Sequence, residues 1–93
     1  MMKERVFKMR LNQLLPKFGS TTKIILRIHD VDIIEFRGTA FNIACQEEYI
    51  KKRNKYEDTI VTRIEIVKEE SETYILVESA TGRGMLYESE WVR

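Results

Sequence analysis

A nucleophile–base pair in this chain has one composition available, Cys45 with His29, because the sequence holds one cysteine and one histidine. Neither has an activating neighbourhood. Cys45 closes the stretch Phe41-Asn42-Ile43-Ala44-Cys45, which reads as an apolar packing position, and His29 beside Asp30 reads as a turn residue. The same scarcity rules out an internal disulfide and a four-ligand zinc site of the usual kind. Carboxylate pairs occur at Asp30/Asp32, Glu47/Glu48, Glu57/Asp58 and Glu69/Glu70/Glu72, but with fifteen acids in 93 residues close pairs arise by chance. Asp30-Val31-Asp32 would need further oxygen ligands to hold a cation, and none is evident. The expectation is a non-enzymatic protein without metal or cofactor.

Binding residues are more numerous, and three sets stand out. Glu65, Glu69, Glu70, Glu72 and Glu78, with Glu88 and Glu90 beyond them, could form an acidic strand face for a protein partner. Ser79-Ala80-Thr81-Gly82-Arg83-Gly84 is a glycine-containing loop whose Arg83 offers a planar fork to phosphate. With Tyr87, Trp91 and Arg93 it could contact a small phosphorylated nucleotide, in pockets between subunits of a homo-oligomer. Lys51, Lys52, Arg53 and Lys55, flanked by Tyr49 and Tyr56, have the cations and aromatics that nucleic-acid binding uses. Lys3, Arg5, Lys8 and Arg10 form a second basic patch. A near-neutral chain, with sixteen basic and fifteen acidic residues, is a weak nucleic-acid candidate. A protein partner leads, a nucleotide ligand and nucleic acid follow, and a membrane is not expected.

The net charge of +1 is a sum of unlike parts. Residues 1–37 hold eight basic and four acidic residues, residues 38–58 four of each, and residues 59–93 four basic and seven acidic. If the two ends lie apart, they form a basic and an acidic surface. The length suits one domain over 1–93, with 43% hydrophobic residues to fill a core. No stretch approaches the ~18 apolar residues of a membrane span, and residues 1–5 lead into no signal-peptide core. The lone cysteine suits a reducing cytoplasm.

The elements that would position these residues follow from periodicity. Phe7, Leu11, Leu14, Leu15 and Phe18 share one helical stripe, which Pro16 ends. A rival reading makes residues 5–10 an edge strand before a shorter helix over 11–15. Residues 23–28 and 33–37 read as a hairpin, with Gly38 marking a bulge or strand end and 39–41 extending the strand. Asn42 could cap a helix that runs through 46–53, anchored by Ile43, Tyr49 and Ile50; the alternative is a mobile loop over 42–58. Residues 59–70 form a long strand whose Ile60, Thr62, Ile64, Ile66 and Lys68 give one core face. Residues 73–78 return as a strand, and 85–87 make a short last one. The fold class is α+β: an N-terminal helix packed on a small antiparallel sheet of about four to five strands, with a short second helix as an option.

Residues 9–78 loosely resemble a pattern in small uncharacterised proteins of phages and mobile elements of Gram-positive bacteria. It comprises Leu11-Asn12-Gln13-Leu14-Leu15-Pro16, the hairpin over 23–28 and 33–37, and Gly38-Thr39-Ala40 leading into a polar excursion. The resemblance implies an intracellular accessory protein with no known reaction. Such proteins are often inhibitors of host defence, including anti-CRISPR proteins and sequesterers of nucleotide signals.

Overall fold

The computed structural model describes residues 9–81. The expected last strand over 85–87 and the candidate residues Lys3, Arg5, Lys8, Arg83, Tyr87, Trp91 and Arg93 lie outside the described residues. Strands β1 (Lys23–His29), β2 (Ile33–Thr39), β3 (Ile60–Glu69) and β4 (Glu72–Ala80) form one sheet in the order β2-β1-β4-β3. Four short helices, α1 (Leu11–Leu14), α2 (Ala40–Cys45), α3 (Glu47–Lys51) and α4 (Arg53–Glu57), accompany it, and Leu15–Lys17 adds a 3-10 turn. The α+β class holds. Among the described residues, no helix is long and apolar enough to cross a membrane.

Both hairpins are antiparallel as their sequences suggest. β1 pairs β2 from Lys23↔Thr39 to His29↔Ile33, and β3 pairs β4 through a turn at Glu70-Ser71. The seam between the hairpins is parallel, from Ile24↔Ile75 to His29↔Ala80, so the sheet is mixed rather than antiparallel. Parallel strands need a long crossover. Residues 40–59 lie between the two hairpins in the chain, and α2, α3 and α4 fall within them.

Three local features depart from the sequence reading. At the N-terminus, Arg10 bridges Ile60, the Val61 N–H donates to the Met9 carbonyl (2.9 Å), and helix begins only at Leu11. The rival reading, extended chain then a shorter helix, is the one this geometry supports over residues 9–14. After β2, the chain turns into helix at Ala40 instead of extending as strand, because the Thr39 hydroxyl caps α2 by accepting from the Asn42 N–H (3.1 Å). Gly38 permits that turn. Its φ of 138° strains any side chain, and a Cβ there would lie 3.3 Å from that of Asn42. The expected helix over 46–53 breaks at Lys52 into α3 and α4.

The helices cover the sheet face formed by Ile24, Leu26, Ile28, Phe36, Ile75 and Val77. Leu11, Leu14, Ile43, Tyr49 and Tyr56 close the core from the helix side. Phe36, Tyr49 and Tyr56 form an aromatic cluster with centroids 5.4–5.8 Å apart, Phe36 and Tyr49 meeting edge to face at 89°. Ile50 and Cys45, expected as packing positions, are both exposed; on these short helices Ile43 and Tyr49 take the inward positions. β3 also departs from its expected core face. A bulge between Val61 and Arg63 brings Val61 to the helix side of the sheet, where it enters the core; Ile64 (38% exposed) and Ile66 (71%) keep the expected side, opposite Val77 and Ile75, along a stretch the described helices leave uncovered.

Candidate functional site

Alternation along each strand sends every second side chain to the face without helices. The pairings put Lys23, Arg27 and His29 of β1 there, with Glu35 and Arg37 of β2, Arg63, Glu65 and Glu69 of β3, and Glu72, Tyr74 and Glu78 of β4. Nine of these eleven carry full charges, and the signs interleave.

Two chains of contacts cross the face. In the first, the Arg27 Nε donates to a Glu35 oxygen (2.9 Å), the other Glu35 oxygen accepts from the Arg37 Nε (2.7 Å), and Arg37 reaches over to Glu69 (2.6 Å). The second centres on Glu78, on a central strand and with only 14% of its side chain exposed. His29 Nε2 lies 3.0 Å from one Glu78 oxygen, while Arg27 and Arg63 approach the other at 3.6 and 3.7 Å. Arg63 also pairs with Glu65, and Lys23 with Glu72. The Arg37 guanidinium lies 5.9 Å from the Tyr74 ring centre. Beneath these charges, Ile25 and Leu76 are buried.

The electrostatics follow from the partners. Hydrogen bonding to Arg37 and then to Arg27 holds the Glu35 carboxyl below the usual carboxylate range, and Arg37 does the same to Glu69. Both Arg27 and Lys23 are held more firmly protonated by Glu35 and Glu72 respectively. Each of these residues is therefore held toward its charged form by its partner.

The expected acidic face does not form as an acidic face. Glu69, Glu72 and Glu78 from the acidic end each meet a cation from the basic end, respectively Arg37, Lys23 and Arg27; Glu65 meets Arg63. The parallel β1–β4 seam brings the two ends together, so the charge split along the sequence becomes charge pairing across the sheet. Glu70 sits at the β3–β4 turn with φ of 48°.

The remaining candidates fall elsewhere. Lys51, Lys52, Arg53 and Lys55 are exposed around the α3–α4 break. Tyr49 and Tyr56 are buried in the core, so they are not available to stack on bases. Arg53 pairs with Glu57 (3.3 Å) and Lys55 with Asp30 (3.0 Å). Asp30 also accepts from the Thr81 hydroxyl (2.8 Å), and Lys55 and Thr81 together hold its carboxyl low. Ser79 and Ala80, expected in a loop, belong to β4, and the Ser79 hydroxyl is buried against that of Thr59 (2.8 Å). Cys45 lies on a helix over the covered face and His29 on the opposite face, so they form no dyad.

Among the described residues three concavities accompany these side chains, one of about 480 Å³ lined by Lys51, Lys52, Arg53 and Lys55 themselves. A cleft of about 710 Å³ at one end of the sheet is lined by Arg10, Lys55, Asp58 and Thr81 among others. Its cations are already paired, Arg10 with Asp58 (3.5 Å) and Lys55 with Asp30. A smaller one of about 230 Å³, between the helices, has apolar walls including Leu15, Pro16 and Ile43. At its edge the Tyr49 hydroxyl donates to Glu57 (2.8 Å), and burial pushes that phenol above its ordinary range.

No family model matches this chain, and neither a curated protein nor a solved structure matches it.

Proposed function

We propose that this chain is a non-catalytic binding domain that engages a protein partner through the helix-free face of its sheet. The observation that carries the reading is the continuous Arg–Glu network over all four strands of that face. Charged side chains held by one another on rigid strands lose less freedom on binding than free ones, which lowers the entropic cost of association. Interleaved signs set register and reject partners of the wrong pattern. A protein surface can present complementary interleaved charges. A nucleic-acid backbone, uniformly negative, would meet Glu35, Glu65, Glu69, Glu72 and Glu78 on this face. The resemblance to phage accessory proteins directs the first search to host-defence proteins, with an inhibitory role of the anti-CRISPR kind.

The test is capture of nuclease-treated lysate proteins on immobilised wild-type chain, beside an Arg27→Ala/Arg37→Ala variant and a Lys51→Ala/Lys52→Ala variant. The reading expects a protein that wild type and the helix-side variant retain and the sheet-face variant loses. Retention seen only in a parallel lysate left without nuclease, and lost in the Lys51→Ala/Lys52→Ala variant, would replace this reading with nucleic-acid binding.

A further inference from the structure

Among the described residues, strand β3 is the edge of the sheet and its outer side is only partly used. The Val61 N–H donates to the Met9 carbonyl and the Leu11 N–H to the Thr59 carbonyl, both at 2.9 Å. Beyond Val61, no described residue pairs with the outer side of β3.

The turn fixes which backbone groups face outward. Glu70 and Ser71 both have positive φ, 48° and 71°, and join the closing pair Glu69↔Glu72. In a two-residue hairpin of this hand the closing pair exchanges both main-chain bonds. Alternation then turns Val67, Glu65 and Arg63 toward β4 and leaves the N–H and C=O groups of Ile64, Ile66 and Lys68 pointing out. The phase agrees with the outward Val61 N–H once the bulge between Val61 and Arg63 is counted. Ile64 and Ile66 add exposed apolar side chains along the same edge, 38% and 71% accessible.

We propose that this edge pairs antiparallel with β3 of a second copy, the two-fold axis passing through Ile66. The strand's own charges select that register. Centring on Glu65 or Lys68 sets like charges directly opposite, and centring on Val67 sets Glu65 against Glu69 twice, all destabilising. Centring on Ile64 drives Val67 and Lys68 into the Ile60–Val61 stretch already held by the Met9-Arg10-Leu11 segment. Centring on Ile66 sets Ile66 against its own copy, Ile64 against the aliphatic stem of Lys68, and Arg63 against Glu69, with no like pair opposite. The dimer joins two sheets into one of eight strands, and the helix-free faces become a continuous surface. The pairing uses the strand edge rather than that face, so it stands or falls independently of the partner reading.

The test is sedimentation equilibrium of the full chain from about 5 to 500 μM, joined to amide hydrogen exchange at the highest concentration. The expected result is a concentration-dependent species of twice the chain mass. In it the Ile64, Ile66 and Lys68 amides exchange at least ~10-fold more slowly than in dilute protein. Ile66→Glu, a change at an exposed position, is expected to be monomeric with an unchanged circular dichroism spectrum. Ile50→Glu, at an equally apolar exposed site on α3, is expected to dimerise like wild type. A monomer at every concentration, a dimer that survives Ile66→Glu, a dimer lost equally in Ile50→Glu, or a dimer whose three amides stay fast would each overturn the proposal.

Discussion

The two faces of this sheet are built from alternate residues of the same strands, and they hold together in different ways. On the covered face, Ile24, Leu26, Ile28 and Val77 meet helix residues in a buried layer, where stability scales with apolar area removed from solvent. On the open face, Arg27, Glu35, Arg37, Glu69 and Glu78 neutralise one another over a thin apolar floor of Ile25 and Leu76. Exposed ion pairs of this kind contribute only ~0–1 kcal/mol each and weaken in salt. The covered face therefore carries the fold, which is why the proposed recognition role falls to the open face. An ordered charge pattern that adds little to stability is what a binding surface needs.

Substitutions at matched positions sharpen that contrast. The largest expected effect is on the covered face, where Leu26→Ala should cost about 3 kcal/mol in denaturant unfolding by transfer and cavity terms together. Its neighbour Ile25 faces the other way beneath arginine and glutamate stems, and Ile25→Ala should cost less, about 2 kcal/mol. Equal costs would mean that the open face is packed as densely as the core. Next is Glu78→Gln, which removes the shared charge from His29, Arg27 and Arg63 and should cost about 1.5 kcal/mol. Tyr49→Phe, which frees Glu57 of its hydroxyl donor while keeping the aromatic packing, should cost about 1 kcal/mol.

Acid should act on the open face first. Glu35 and Glu69 are held below the ordinary carboxylate range by Arg37, and Asp30 by Lys55. Groups whose folded value is depressed contribute stability above their unfolded value, and lose it as pH falls through the folded one. The urea midpoint should therefore decline as pH drops below about 4, and Arg37→Ala should flatten that decline. An Arg37→Ala profile as steep as wild type would show that the network does not set the acid limb.

The sequence made local structure readable and left non-local structure hidden. Alternation and β-branched residues placed β1, β2, β3 and β4 nearly to their ends, because hairpin signals act between neighbours in the chain. The parallel β1–β4 seam was not legible, since it depends on where residues 40–59 return the chain. With it went the charge pattern, because a basic first third and an acidic last third look like separate surfaces until Arg27 and Glu78 are known to be adjacent. The bulge at Val61–Arg63 was also hidden, and one extra residue was enough to bring Val61 onto the same side of the sheet as Ile64 and Ile66. Helix α2 was masked by Thr39-Ala40-Phe41, whose side chains suit a strand. Thr39, a helix-capping residue type placed directly after Gly38, was the available signal for its cap.

The claim that the open face is the recognition surface meets its most direct test in one comparison. Capture of lysate protein by wild type is set against capture by Arg27→Ala/Arg37→Ala, with unfolding measured on the same samples. The predicted result is that the double substitution abolishes capture of a specific protein while the urea midpoint moves little, and that Lys51→Ala/Lys52→Ala leaves capture intact. Undiminished capture by the open-face variant, or no specific protein retained by wild type, would contradict it.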